Sequence, residues 1–543
     1  MAQPNPSNDK MPSSIPYIVG NEAAERFNYY GLRAILTTFM VSQFYNPQHS
    51  TDPAVMQVAE ATANAKTHDF VAMCYLLPMF GGMAADWFWG KYKTILYLSL
   101  VYAIGNVVLA LSTGNEAMFS MALMLIAIGA GGIKPCVSAN VGDQFDESNA
   151  HLLPKAFGAF YASINAGSLL SILLIPYLKS HFGPTVAFGV PAIAMLIAVG
   201  FFYIGRDQYR RVPPKGDSNK LVIFATALLS LAVSYVYWDT IPTLLRQATQ
   251  NNTTSAFSAF YTPGILKIAG MGPLLLTWGL LVVLMAVLFK KQWFAAPGNF
   301  VGINLYAAMN GGFEAAKKQY GEESVDGIKS VWRVMSVFAF IPFFWALWDQ
   351  SQSEWVVQAS KMNLNFLGIK WEAEQISFVN AGFILAFIPL FTLVVYPGLE
   401  KMGIKVTPLR KIGAGFVLTA FSFVIIAIIQ EWIDAGQTPN IAWQILAFVI
   451  LTAGEVLISI TGLEYAYTQS PPSMKSTIMA CWLLTVTVGN VVVSVIQTNI
   501  KSGGFFAQFQ GAGFFWLFTG ICAATAVLFM LISPHIEEKK YIG

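Results

Sequence analysis

Mainly apolar stretches of about 20 residues, long enough to cross a bilayer as a helix, recur fourteen times along this chain. Six lie at 21–45, 67–88, 92–113, 117–140, 155–178 and 184–205. Two follow at 220–243 and 270–289, and six more at 328–358, 375–399, 406–430, 441–468, 475–499 and 509–532. The pattern predicts an all-α polytopic membrane protein with 12 core transmembrane helices in two six-helix bundles plus two inserted transmembrane helices. The expected division is a tail over 1–20, an N-terminal bundle over 21–205 and a linker with the inserted helices over 206–326. A C-terminal bundle over 327–532 and a tail over 533–543 complete it.

Composition agrees. The 543 residues are 55% hydrophobic and 11% charged, against about 25% charged in soluble chains. A net charge of +3 is too small to point to a nucleic-acid partner. The four cysteines, Cys74, Cys136, Cys481 and Cys522, lie in apolar segments without paired spacing, which suits packing and not a disulfide or metal framework. The first fifteen residues are polar and hold no signal-peptide core, so an uncleaved tail is expected. With the N-terminus inside, 21 of the 32 Lys and Arg fall on the inner side, seven outside and four within spans. That bias predicts cytoplasmic termini. The inner segment 292–326 contains "FEAAKKQYGEE", expected to form a short amphipathic helix along the membrane surface.

The first span carries four charges in "GNEAAERFNYYGLRAIL". Each ionisable residue in a spanning helix costs about 2.5–3.5 kcal/mol on insertion scales, so these must pair or line a wet cavity. At 3.6 residues per turn, Glu22, Arg26, Tyr29 and Arg33 form one stripe, flanked by Glu25 and Tyr30. Glu22 and Arg26 have the i, i+4 spacing that favours pairing. Snorkelling to the inner surface remains open for Glu22. It fails for Arg33, which lies about 16 Å further along the axis.

The chain has no HExxH, Walker A or nucleophile-elbow motif, so a transporter is expected, not an enzyme. "GAGGIK" (129–134) lies within an apolar span, where its glycines are expected to allow close helix packing. Two six-helix halves are the plan of the major facilitator superfamily. Its substrate binds near the midplane while the halves rock.

The motif "ExxERFxYYG" in the first span resembles the first-helix signature of the proton-dependent oligopeptide transporters. "GGMAADWFWGKYKTI", "GGIKPCVSANVGDQF" and "FGAFYASINAGSL" resemble signatures of the second to fifth helices. "FWALWDQSQSEW" and "GEVLISITGLEYAYTQSPPSMKS" resemble those of the seventh and tenth. The inserted pair resembles an insertion in bacterial members. The resemblance implies proton-coupled symport of di- and tripeptides by alternating access in the bacterial inner membrane. It also implies that the proton gradient drives transport without a cofactor or metal.

Small peptides share a carboxylate, an amine and a backbone, so a site for all of them clamps the ends. The resemblance puts Arg33 and Lys134 at the carboxylate, as a bidentate fork and a point charge. It gives Glu455 the amine, although the residue alone also reads as a buried structural carboxylate. Tyr30, Tyr75, Tyr161, Asn165, Asn380 and Ser459 match positions that hold the peptide backbone. Trp345, Trp348 and Trp482 match side-chain pockets, where single aromatics otherwise read as packing.

Coupling needs a group that changes protonation as its surroundings change. Glu22 and Glu25 are expected to alternate between a proton and a pair with Arg26 or Lys134. Asp349 is a second candidate and His68 a third. His68, expected at the outer end of the second helix, matches the animal transporters' second-helix histidine and is otherwise an interfacial residue. Asp86 and Lys91 are expected to latch the cytoplasmic side, or merely to order a turn. Nitrate and other small solutes are alternative cargoes on the same fold. A membrane enzyme acting on a lipid-linked substrate is a more distant alternative.

Overall fold

The computed structural model describes residues 10–146, 148–214, 300–469 and 475–536, with isolated positions between 224 and 283. Helix covers the predicted spans on both sides of the insertion. The inserted spans, 220–243 and 270–289, fall almost wholly outside the described residues. In chain order the first half runs α1 (Ile15–Met40), α2 (Pro53–Leu76), α3 (Pro78–Ala84), α4 (Gly90–Leu111), α5 (Glu116–Asp143), α6 (Leu153–Phe182) and α7 (Pro184–Ile204). After the insertion come α8 (Phe300–Met309), α9 (Phe313–Tyr320), α10 (Glu322–Phe338), α11 (Ile341–Trp348), α12 (Glu354–Ala359), α13 (Phe378–Leu390) and α14 (Tyr396–Lys401). The last helices are α15 (Pro408–Asp434), α16 (Ala442–Glu455), α17 (Thr461–Thr468), α18 (Lys475–Lys501) and α19 (Ala512–Ile532). Among the described residues, ten helical stretches are long and apolar enough to cross a membrane.

The buried apolar residues form two clusters. One comes from α1–α7 and the turn after them. The other comes from α8–α19 and takes in Ala61 of α2. α1 packs on α6 and α7, α15 packs on α19, and α2 runs along α18, joining the two halves.

The second span departs from its apolar limits. Asp52 caps α2, accepting a hydrogen bond from the Ala54 amide at 2.9 Å, and Pro53 occupies the first turn. The helix therefore starts fourteen residues before the apolar stretch. Its first turns, "PAVMQVAEATANAK", are too polar to register as a span. Ala59, Ala61, Ala63 and Asn64 are nevertheless buried in this part of the molecule.

The glycines of "GAGGIK" act as expected. A Cβ on Gly129 would collide with Tyr102, one on Gly131 with Leu77, and one on Gly132 with Leu98. Gly81 of α3 meets the Gly132 backbone with no room for a side chain. These contacts hold α5 against α3 and α4 and set the depth of Lys134, which follows them. The "FEAAKKQYGEE" segment does form a short helix, α9, ending at Gly321 with a positive φ of 85°.

Two breaks in helical geometry bear on the site. A turn of π-helix, Val456–Ile460, follows Glu455 between α16 and α17; such turns often occur at functional positions. Between α11 and α12 the chain tightens into a 3₁₀ turn, Asp349–Gln352, and breaks at Ser353 (φ −139°, ψ −82°). This break re-aims the residues that follow Trp348.

Candidate functional site

The α1 stripe is buried, as its spacing predicts. Glu22, Glu25, Tyr29 and Arg33 are each at most 3% exposed. Arg26 Nε lies 2.6 Å from Glu22 and 3.0 Å from Glu25. The Tyr102 side chain of α4 faces Glu25. This cluster is thus built within the first half.

Arg33 takes a partner from the other half. Its guanidinium forms an ion pair with Asp349, and it lies 5.9 Å from the centre of the Trp348 ring. The guanidinium Nε is buried without a hydrogen-bond partner. Asp349 also accepts a hydrogen bond from Asn490 Nδ2 at 2.6 Å. The predicted substrate cation and a predicted proton carrier therefore meet directly, across the interface.

Among the described residues, Lys134 takes no carboxylate partner within ion-pair distance. Its ammonium sits 4.1 Å from the Tyr29 ring centre and 4.2 Å from that of Tyr75. Cation–π contacts offset part of the cost of burying it, but its Nζ has no hydrogen-bond acceptor.

Glu455 is the converse case. Its carboxylate accepts from Trp348 Nε1 at 2.8 Å and from Asn380 Nδ2 at 2.7 Å. Asn380 also donates to Thr452 at 3.0 Å. Among the described residues no cation pairs with Glu455. The expectation of a structural carboxylate paired with another helix is therefore met only by neutral donors. Tyr30 lies within electrostatic reach of Arg26, Arg33 and Glu455, so it stands between the two ends.

The aromatic candidates also gather. Trp345 packs on Trp348 and Trp482 with ring centres 5.6 and 6.2 Å apart. Ser459, on the π-helical turn, has a buried hydroxyl without a hydrogen-bond partner. Tyr161 is exposed but lies within electrostatic reach of Glu455. Asn165 donates to the Tyr161 carbonyl at 2.9 Å.

Two expectations are corrected. Asp86 and Lys91 do not latch to each other: Lys91 pairs with Asp143 of α5 at 2.7 Å, and Asp86 is exposed. The π-helical turn Ala85–Trp89 and Gly90, with a φ of 75°, lie between them in the chain, and Lys91 turns to α5. His68 is not at a helix end. With α2 beginning at Pro53 it lies about four turns into the helix, fully buried. Its Nδ1 is 2.8 Å from Asn490 Oδ1, and its Nε2 is 3.1 Å from Glu354.

Several functional-looking residues escape the sequence reading. Glu354 lies within the quoted "FWALWDQSQSEW" motif, but the 3₁₀ turn that points it at His68 is not visible there. Asn490 is a lone amide in an apolar run, which is a usable signal. Lys179 pairs with Glu374 at 2.5 Å, with Thr38 donating to the same carboxylate. Lys361 pairs with Glu60 at 2.6 Å. Ser494 donates to Asp69 at 2.5 Å. These contacts join the halves between Arg33 and the face carrying the 46–52 loop.

Comparison with known proteins fits this geometry. Residues 92–510 match the family model described as PTR2: POT family. Peptide transporter family 2 of Caenorhabditis elegans is 32% identical over 440 residues, covering 78% of this chain and 48% of that protein. Human Solute carrier family 15 member 1 is 32% identical, covering 78% of this chain and 52% of that protein. The chain thus spans about half the length of the curated relatives it matches. The crystal structure of the POT family transporter PepTSo is 34% identical, with a TM-score of 0.77 over 97% of this chain and 99% of that one. A further proton dependent oligopeptide family transporter is 35% identical, with a TM-score of 0.70 over 95% of this chain and 100% of that one. By its family model, its relatives and its fold, the chain belongs to the POT family.

Proposed function

We propose that the protein is a proton-coupled symporter that imports di- and tripeptides by alternating access, without a cofactor. The observation that carries this reading is the pair of charges left without ionic partners. Buried charges are normally paired, yet among the described residues Lys134 in the first half stands over tyrosine rings with no carboxylate within ion-pair distance, and Glu455 in the second accepts from neutral groups. An uncompensated cation and an uncompensated anion on opposite halves suit a zwitterion with an extended middle. Arg33 strengthens the carboxylate end. Tyr30, Tyr75, Tyr161, Asn165, Asn380 and Ser459 hold the backbone, and Trp345, Trp348 and Trp482 shape the side-chain pockets. The names of the relatives support the same cargo.

Glu22, Glu25 and Arg26, with Lys134 nearby, exchange a proton for an ion pair during the cycle. Asp349 and His68 couple the proton to the interface. The halves comprise residues 21–205 and 327–532, joined by 206–326. The protein sits in a bacterial inner membrane with both termini cytoplasmic, so the 46–52 face is the outer one. A nitrate carrier would not need Glu455, an anion at the substrate position. The test is uptake of a labelled dipeptide into liposomes under an imposed inward proton gradient, beside nitrate and free amino acids. Concentrative dipeptide uptake that collapses with a protonophore is expected. Nitrate accumulation without dipeptide uptake would overturn the reading.

A further inference from the structure

A groove of about 420 Å³ lies between α2, α5 and α18 on the 46–52 face. Its mouth and its depth differ in kind. Tyr45, Lys66, Asp69, Glu116 and Lys501 are among the residues at the mouth, and Phe70, Met73, Leu123, Met124 and Ala127 line the depth. The chain directions set this polarity. α2 and α5 both enter from the 46–52 face, so residues further along each helix lie deeper. Met73 follows Lys66 by about 10 Å along its axis, and Ala127 follows Glu116 by about 16 Å. α18 runs the other way and ends at Lys501 on the same face. Half of a bilayer's hydrocarbon core is about 15 Å thick. The groove therefore spans one leaflet, with charges at the water end and apolar side chains toward the midplane.

The groove opens sideways to lipid. On α5, Met124 in its wall is flanked at helical spacing by Met121, 53% exposed, and Ile128, 37% exposed. The wall is thus continuous with the apolar surface that a spanning helix turns to the bilayer.

The mouth carries both signs of charge. Lys66 Nζ lies 3.6 Å from Glu116 Oε1, close enough to attract but beyond hydrogen-bond range. The Tyr45 hydroxyl donates to that same oxygen at 2.7 Å. The three N–H donors of the Lys66 ammonium and the second Glu116 oxygen are therefore available to a ligand. Lys501 stands exposed at the end of α18, and Ser494 of α18 donates to Asp69 below it. A purely anionic headgroup would meet Glu116 and Asp69, and a purely cationic one Lys66 and Lys501. A zwitterion avoids both penalties.

We propose that this groove binds a zwitterionic phospholipid with a primary-amine headgroup, of the phosphatidylethanolamine type. Its phosphate bridges Lys66 and Lys501, its ammonium donates to Glu116, and one acyl chain follows Phe70, Met73 and Leu123 toward the midplane. Hydrogen bonds between charged groups are the strong ones, and basic pockets between spanning helices suit headgroup phosphates. A choline headgroup has no N–H to give Glu116, so phosphatidylcholine is discriminated against. Lys66 belongs to the first half and Lys501 to the second. The bound phosphate therefore ties the halves together on this face and favours the arrangement seen here. The inference needs a membrane-spanning chain of this fold and does not depend on the cargo.

The first test is native mass spectrometry of the full-length protein, titrated with phosphatidylethanolamine, phosphatidylcholine and phosphatidylglycerol of identical acyl chains. One phosphatidylethanolamine should be retained at least fivefold better than either of the others. Lys66→Gln combined with Lys501→Gln should lower that retention at least fivefold, and the corresponding pair of arginine variants should preserve it, which separates headgroup binding from misfolding. Glu116→Gln should bring phosphatidylglycerol level with phosphatidylethanolamine. Equal retention of the ethanolamine and choline lipids would mean annular contact only and overturn the proposal. So would wild-type retention in the double glutamine variant, or a wild-type preference for phosphatidylglycerol. The second test reads the tie between the halves. Spin labels at Met118→Cys and Phe505→Cys, both exposed, report their separation in nanodiscs, with Cys481→Ser in the background. Replacing phosphatidylcholine by phosphatidylethanolamine should raise the short-distance population at least threefold in wild type and leave it unchanged in the double glutamine variant. An equal lipid effect in both would overturn the bridging role of the two lysines.

Discussion

Two charged clusters lie on one stripe of α1, about two turns apart, and they find their partners in different places. Arg26 is satisfied by Glu22 and Glu25 of its own helix. Arg33 is satisfied by Asp349, from the opposite half. A pair within one rigid half keeps its geometry when the halves rock. A pair across the interface cannot. The lower cluster can therefore change only by gaining or losing a proton or by meeting Lys134, whereas the upper pair opens and closes with the molecule. The same division separates Lys91–Asp143, inside the first half, from Lys179–Glu374 and His68–Glu354, which cross it.

The largest effect is expected from Arg33→Ala. It strands Asp349 as a buried, unpaired carboxylate, which destabilises the fold by about 3–5 kcal/mol. Losing the cation that meets the peptide carboxylate costs about 2–5 kcal/mol of affinity, so counterflow and gradient-driven uptake should both fall at least about tenfold. Adding Asp349→Asn should restore thermal stability but not peptide affinity, because the stranded charge is gone and the carboxylate clamp is still missing. If the double variant regains affinity as well, Arg33 does not hold substrate.

Glu455→Ala comes next. Removing one member of a desolvated charge pair costs about 2–5 kcal/mol, so affinity for peptides with a free amine should drop by about one and a half to three and a half decades. Acetylating the peptide amine should weaken wild-type binding strongly and the variant's little further, as measured by competition for labelled dipeptide. Strictly additive effects would remove Glu455 from the amine site.

The smallest effect is expected where both partners share one half. Lys91 and Asp143 are each about one-fifth exposed, and partly exposed pairs contribute about 0–1 kcal/mol. Lys91→Ala should lower uptake no more than about fivefold, and Asp86→Asn should leave it unchanged. A large loss in Asp86→Asn, with Lys91→Ala near wild type, would return Asp86 to a gating role.

Much of this was readable from sequence, for identifiable reasons. Apolar runs locate most helices because lipid admits little else. The i, i+4 spacing of Glu22 and Arg26 gives a local pair, which needs no tertiary information. What was hidden depends on tertiary context. The start of α2 is polar and packs in the protein interior, so hydropathy does not mark it, although Asp52–Pro53 is a legible cap signal. That missed start also misplaced His68. The Lys91 partner lies 52 residues away on α5, and spacing cannot rank it against the nearer Asp86. Glu354 required the 3₁₀ turn after Trp348, and the Glu374 latch required the two halves to meet.

The most direct test of the comparison uses Glu22→Gln and Glu25→Gln, singly and together. Each keeps size and hydrogen bonding but cannot release a proton. Counterflow of labelled against unlabelled dipeptide, and uptake driven by a proton gradient, are measured on the same liposome preparation. Counterflow should persist, since the peptide clamp and the cross-half pairs are untouched, while gradient-driven accumulation is lost. Loss of both together would make the α1 glutamates structural or substrate-binding. Accumulation retained in the double variant would move coupling entirely to the cross-half network at Asp349.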